Sequence, residues 1–165
     1  ASSLGVPVAQ ARTLRAQFLR AFPKLESLQD ALKAQARREG AVTTLGGRRR
    51  LLPHIASSAH AERAKAERQA VNSVIQGSAA DIVKEAMVRC TAALAARRVH
   101  ARLCAQLHDE LLWEVAADQV HAAAATIKQC MEHLGALDEG GHALPPLPVS
   151  IVAGPSWGDM RAVEC

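Results

Sequence analysis

The sequence predicts an α+β fold, with helices packed on a small antiparallel sheet. Three observations carry that expectation. Apolar residues recur at helical spacing over several long stretches. Two short apolar runs, "ARLCAQL" and "ELLWEV", flank a charged break at His108-Asp109-Glu110, as the strands of a hairpin would. Near the end, "VSIVAG" alternates like one more strand. With 165 residues the chain is about one domain in size. Its 49% hydrophobic and 22% charged residues suit a packed core rather than disorder.

The elements follow in order. "VPVAQARTLRAQFLRAF" reads as a helix, with Pro7 in its first turn and Val8, Ala11, Leu14 or Arg15, Phe18 and Leu19 at helical spacing. Pro23 interrupts it. "KLESLQDALKAQARREG" is a second helix that Gly40 is placed to end. "AVTTLGG" reads as a short strand and turn, and "RRRLLPHI" as a basic loop leading to Pro53. From about Ala59 to Val99 the pattern is helical. Gln76-Gly77-Ser78 is a weak point there, because glycine costs roughly 1 kcal/mol inside a helix, so a bend or two abutting helices are expected. Strands are expected at Ala101–Leu107 and Glu110–Val115. "AADQVHAAAATIKQCMEHLGA" is another long helix, "DEGGHALPPLP" a polar loop and "PSWGDMRAVEC" a tail. No internal repeat is present.

Composition narrows the function classes. With two Trp, two Phe and no Tyr, any nucleic-acid binding cannot rest on rows of stacking aromatics. The net charge of +4 permits an anionic partner without requiring one. Cys90, Cys104, Cys130 and Cys165 show no CxxC spacing, which suggests neither a zinc site nor a disulfide framework. No apolar run approaches the roughly 20 residues of a membrane span. The N-terminal "ASSLGVPVAQ" has neither an initiator methionine nor a signal-peptide pattern, so the chain is expected to be a piece of a longer one.

Three constellations could carry chemistry. His108-Asp109-Glu110 would sit at a hairpin turn, where a rigid scaffold commonly holds catalytic groups. Its two carboxylates suit a divalent cation such as Mg²⁺; a plain solvated turn fits the same tripeptide. Arg68, Asn72 and Gln76 stand at i, i+4 and i+8, in one row along a helix. Such a row of planar donors could hold any duplex through the minor groove, where every base pair offers similar acceptors. An ordinary solvated stripe has the same spacing, but Gly77, Ser78, Ala79 and Ala80 would also let the helix pack closely on another backbone. Arg48, Arg49 and Arg50 follow two glycines, as phosphate-contacting residues, a solvated turn or part of a localisation signal would. His54, His60, His100, His121, His133 and His142 show no ligand spacing.

Taken in order, "FPKL", "TLGGRRRLLP", "AERQAVNSVIQGSAADIVKEAM", "QLHDELLWEV" and the closing "SWG" resemble the C-terminal part of family A DNA polymerases, the class of bacterial polymerase I. The resemblance covers nearly the whole chain. In "AERQAVN", "QGSAAD" and "ARLCAQLHDELLWEV" it is nearest to the vertebrate nuclear members nu and then theta. Only 28 positions separate Asp81 from Asp109, which leaves no room for the insertion of theta-like enzymes.

The resemblance implies a right-hand polymerase. Residues 1–58 would be fingers-base helices and a basic turn, and residues 59–165 part of the palm. It implies template-directed nucleotidyl transfer with Mg²⁺, on primer–template DNA and deoxynucleoside triphosphates, in a nuclear repair or translesion setting. Asp109 matches a metal-binding aspartate and Glu110 an accessory catalytic carboxylate. His108 matches a residue at the primer end. Arg68, Asn72 and Gln76 match the helix that holds DNA from the minor groove, and Arg48 and Arg49 the basic turn near the template. The family's second metal-binding aspartate and its nucleotide-holding fingers helix would lie before Ala1. Asp30, Asp81, Asp118, Asp138 and Asp159 have no matching context. Alone, then, the chain is expected to be inactive. The alternative is a non-catalytic DNA-binding or interaction module.

Overall fold

The computed structural model describes residues 5–134 and 145–163. It divides into two compact units, Ala1–Thr43 with Arg49–Val74 and Thr44–Arg48 with Ile75–Cys165.

In the first unit, helix α1 (Val8–Ala21) begins directly after Pro7. It buries none of its residues, and Val8, Leu14 and Phe18 are exposed. Past its end, the Phe22 ring packs on Phe18 with centroids 5.1 Å apart. Helix α2 (Lys24–Glu39) buries Leu32 and Ala36, one turn apart on a single face. Gly40 ends it in the left-handed conformation at φ 64°, its N–H donating to the Ala36 carbonyl at 2.9 Å. A side chain would be strained at that φ. Ala36 then packs with Val42, Leu52, Ile55, Ala66 and Ala70.

Strand β1 (Ala41–Thr43) pairs antiparallel with β2 (Arg49–Leu51), Val42 opposite Arg50. The "RRRLLPHI" stretch is therefore not all loop. Gly47, at φ 78°, turns the chain back, and main-chain pairing makes a strand of residues whose side chains all remain exposed.

Helix α3 (His60–Ala96) runs unbroken for 37 residues through Gln76-Gly77-Ser78. It supplies residues to both units. Of the two expected outcomes, a bend or two abutting helices, the division into two helices does not occur. Gly77 and Ser78 are committed to tertiary contacts, described below, that offset the helix-propensity cost of glycine. The helix ends where Arg98 takes φ 56°. Arg98 N–H donates to Ala95 O at 3.0 Å and Val99 N–H to Leu94 O at 2.9 Å, a Schellman cap without its usual glycine. Leu94 and Val99 seal it by joining one buried cluster.

That cluster is the core of the second unit. Cys90, Leu94 and Val99 meet Ala123 and Ile127 of helix α4 (Val120–Glu132). Ala101, Trp113 and Val115 of the hairpin that follows α3 pack against it. Burial pushes the Cys90 thiol up to about 12, with the Cys130 thiol adding to the effect, so Cys90 stays protonated and apolar. Strand β3 (Ala101–Leu107) pairs antiparallel with β4 (Glu110–Val115), with both bounds as expected. The register slips once, between Leu103 and Ala105, which leaves Cys104 as a bulge.

Near the end, β5 (Val152–Ala153) pairs with β6 (Arg161–Ala162). The expected last strand is thus only two residues long, and the supposed tail contains its partner. Gly154 allows this reversal. A Cβ there would lie 2.2 Å from the Asp159 carbonyl oxygen. Among the described residues the strands form three two-stranded ladders rather than one small sheet, within the expected α+β class. Asp138, His142, Cys165 and most of the "DEGGHALPPLP" loop lie outside the described residues. Among the described residues no helix is long and apolar enough to cross a membrane.

Candidate functional site

The β3–β4 hairpin puts its charged break at the tip. Leu107 pairs with Glu110, so only His108 and Asp109 make the turn. Two-residue hairpin turns require positive φ, which usually selects glycine or asparagine. Here His108 adopts φ 55°. The Gln106 side-chain amide donates to the His108 carbonyl at 3.1 Å and holds that conformation. His108, Asp109 and Glu110 are all exposed. Asp109 and Glu110 also line one end of a groove of about 680 Å³, whose wall is largely apolar and includes Trp113, Ile127, Ile151 and Trp157.

Mg²⁺ takes six oxygens, usually one or two carboxylates completed by waters and substrate phosphates, so Asp109 and Glu110 are the kind of donors it uses but only part of its ligand set. Among the described residues no group of three or more His, Cys, Asp or Glu gathers to hold an ion. The hairpin tip therefore offers carboxylate oxygens to such an ion without enclosing it.

Arg68, Asn72 and Gln76 are exposed at four-residue intervals on α3. None is tied to another described residue by a hydrogen bond or ion pair, so their polar heads remain available. Arg68 and Asn72 belong to the first unit and Gln76 to the second.

The basic turn carries a network of its own. Arg48 is not a free cation. Its Nε donates to Asp81 Oδ1 at 3.0 Å, and Nη2 donates to the Gly77 carbonyl at 3.1 Å. The Thr44 hydroxyl donates to Asp81 Oδ2 at 2.5 Å and accepts from Arg48 N–H at 3.1 Å. Leu45 N–H donates to the Ser78 hydroxyl at 2.9 Å. Gly77 sits beneath Thr44, where a Cβ would come 2.6 Å from Thr44 Cγ2. The Thr44 hydroxyl, then the Arg48 guanidinium, hold the Asp81 carboxyl below its ordinary value of 3.8 against the opposing effect of burial. Sequence reasoning left Asp81 without a role. Its one signal was local: it follows Gly77 by four residues, on the same helix face. Arg49 and Arg50 remain exposed; Arg49 reaches only the Glu39 carbonyl, at 3.4 Å.

The model of DNA polymerase family A matches residues 1–159. The chain belongs to DNA polymerase family A. It is 36% identical to DNA polymerase I of Bacillus subtilis over 159 residues, 96% of this chain and 17% of that protein. It is 35% identical to DNA polymerase I of Geobacillus stearothermophilus over 161 residues, 98% of this chain and 18% of that one. The chain thus spans less than a fifth of these relatives. Among solved structures, the polymerase domain of Pol1 from M. smegmatis, in complex with DNA primer-template and dNTP, superimposes with a TM-score of 0.75 at 35% identity. That likeness covers 80% of this chain and 23% of the other. The mixed helical and antiparallel architecture accords with the palm and base of the fingers in a family A enzyme.

Proposed function

We propose that this chain is the primer–template-holding part of a DNA-directed DNA polymerase. One observation carries the proposal: the exposed, unengaged row Arg68, Asn72 and Gln76 on α3, in a chain whose hairpin tip presents Asp109 and Glu110. The row would donate to minor-groove acceptors that every base pair offers, which suits a protein indifferent to sequence. His108 would meet the primer end, and Arg49 would meet the template backbone. Asp109 would give one carboxylate, with Glu110 beside it, to a divalent cation, Mg²⁺ in the family resemblance. Its remaining ligands, like the groups that hold a deoxynucleoside triphosphate, would come from outside this chain. Support comes from family membership and from a solved neighbour that itself holds primer–template and dNTP.

The motif strings that bring the chain near the vertebrate nu and theta members extend the proposal to a nuclear polymerase of DNA repair or translesion synthesis. The test uses the 165-residue chain and a fluorescent primer–template duplex. Fluorescence anisotropy is expected to show binding that weakens with salt. Gln76→Ala should cost on the order of 1 kcal/mol, one hydrogen bond. With Mg²⁺ and all four nucleotides, no primer extension is expected. An absence of duplex binding would overturn the proposed role, and metal-dependent extension would overturn the division of ligands.

A further inference from the structure

We infer that Asp81 is a positioning residue, and that Arg48 serves it rather than the nucleic acid. Together with Thr44 and Ser78 they form a joint that fixes the Thr44–Arg48 turn on α3 and so sets the place of Gln76. This rests on the duplex-binding role proposed above.

The geometry is specific. Four hydrogen bonds join turn to helix: Thr44 to Asp81, Arg48 to Asp81, Arg48 to Gly77, and Leu45 to Ser78. Two of them end on Gly77 and Ser78, the residues directly after Gln76. Asp81 has both oxygens engaged, one by a hydroxyl and one by a guanidinium. Its side chain is 15% exposed and that of Arg48 53%, so the carboxylate is sheltered from water while the guanidinium is half exposed. Close packing adds to the bonds. A Cβ at Gly46 would meet the Asp81 side chain at 3.1 Å, and one at Gly77 would meet Thr44 at 2.6 Å. An arginine held by Nε to a carboxylate and by Nη2 to a carbonyl has its fork turned to protein. It cannot offer its Nε–Nη2 side to a phosphate without breaking the joint, which leaves only Nη1 to face outward. Asp81 also offsets its charge. Arg49, whose guanidinium has only a long bond to a carbonyl, is the cation left for the backbone.

Two measurements test this, one of which needs no DNA. Amide hydrogen exchange on the 165-residue chain reports the joint directly. In Asp81→Ala the Leu45 amide should exchange at least tenfold faster, while amides around Cys90 and Leu94 keep their protection. If Asp81→Ala loses that core protection as well, Thr44→Val takes its place, since it removes only the hydroxyl. Unchanged protection at Leu45 in the folded variant overturns the joint. The second measurement is the dependence of duplex affinity on salt, whose slope counts neutralised phosphates. Arg49→Ala should reduce the slope by about 1, and Arg48→Ala should leave it unchanged while weakening binding through Gln76. A slope reduced by about 1 in Arg48→Ala overturns the assignment. If the unaltered chain binds no duplex, the functional proposal fails, and hydrogen exchange alone decides whether the joint exists.

Discussion

Gly77 offers a sharp test of the packing, because two opposing effects are both readable at one residue. Alanine is favoured over glycine in a helix interior by about 1 kcal/mol, and α3 is helical on both sides of Gly77. Propensity alone therefore makes Gly77→Ala stabilising. The structure predicts the opposite sign. The new Cβ would stand 2.6 Å from Thr44 Cγ2, about 1 Å inside an ordinary carbon–carbon contact. Thr44 is buried and β-branched, with few rotamers to move into. Rotating it away breaks its hydrogen bond to the Asp81 carboxylate, and bonds to charged groups are worth about 1.5–3 kcal/mol. Leaving it in place overpacks the site at a cost of about 1–3 kcal/mol. Either route outweighs the propensity gain, by about 1 kcal/mol net. For a chain of this size the midpoint of thermal unfolding should fall by roughly 2–4 °C.

Thr44→Ser supplies the control. It removes Cγ2 and keeps the hydroxyl that Asp81 accepts from. In that background Gly77→Ala meets only Arg48 Nη2 at 3.4 Å and the Cβ of residue 44 at 3.8 Å, both ordinary contacts, and should recover the helix propensity, raising the midpoint over Thr44→Ser alone. Circular dichroism melts of the four proteins close the cycle. A higher midpoint for Gly77→Ala in the unaltered chain, or no recovery in the double variant, would refute the packing explanation.

Two further outcomes follow from the same physics. The carboxyl of Asp81 is lowered in the folded chain, so its contribution to stability is fully present above its ordinary 3.8 and is lost as pH falls through the lowered folded value. Urea unfolding of the unaltered chain and Asp81→Asn should therefore differ most at neutral pH and converge in acid below 3.8; a constant gap across that window would show that charge is not what Asp81 contributes. Leu94→Ala should destabilise by about 2–5 kcal/mol, since Leu94 is 1% exposed at the centre of the second unit's core, whereas Leu14→Ala, at 45% exposure on α1, should change stability by about 0.5 kcal/mol or less. Equal effects in chemical denaturation would mean the core is wrongly placed.

What could be read in the sequence was what short-range patterns encode. The hairpin strands were found at their observed limits because two apolar runs bracket one charged break. The end of α2 was found because only Gly40 suits its left-handed cap. The row on α3 needed only a four-residue period. Missed features depend on distant partners. Gly77 is tolerated in α3 because of Thr44, 33 positions away, and no local rule reports that. Strand β2 exists through main-chain pairing with β1, whereas its side chains suggested a loop. Strand β6 exists because Gly154 lets two backbones pass. The pairing of Arg48 with Asp81 was not legible, because a run of arginines does not show which of them already has a carboxylate.

The same distinction bears on the hairpin tip. Its turn is strained at His108, yet the strands that carry it are anchored at the other end, where Trp113 and Val115 enter the core. From Val115 to Glu110 the strand spans roughly 17 Å at about 3.4 Å per residue. Over that distance a two-stranded ribbon alone is marginally stable. What keeps the tip in place is the ladder of paired residues from Ala101–Val115 to Leu107–Glu110, together with the amide of Gln106 on the His108 carbonyl. Loss of that one amide would free a strained turn to relax at its most exposed point. Gln106, which carries no charge and matches no ligand pattern, therefore helps hold the turn that presents Asp109.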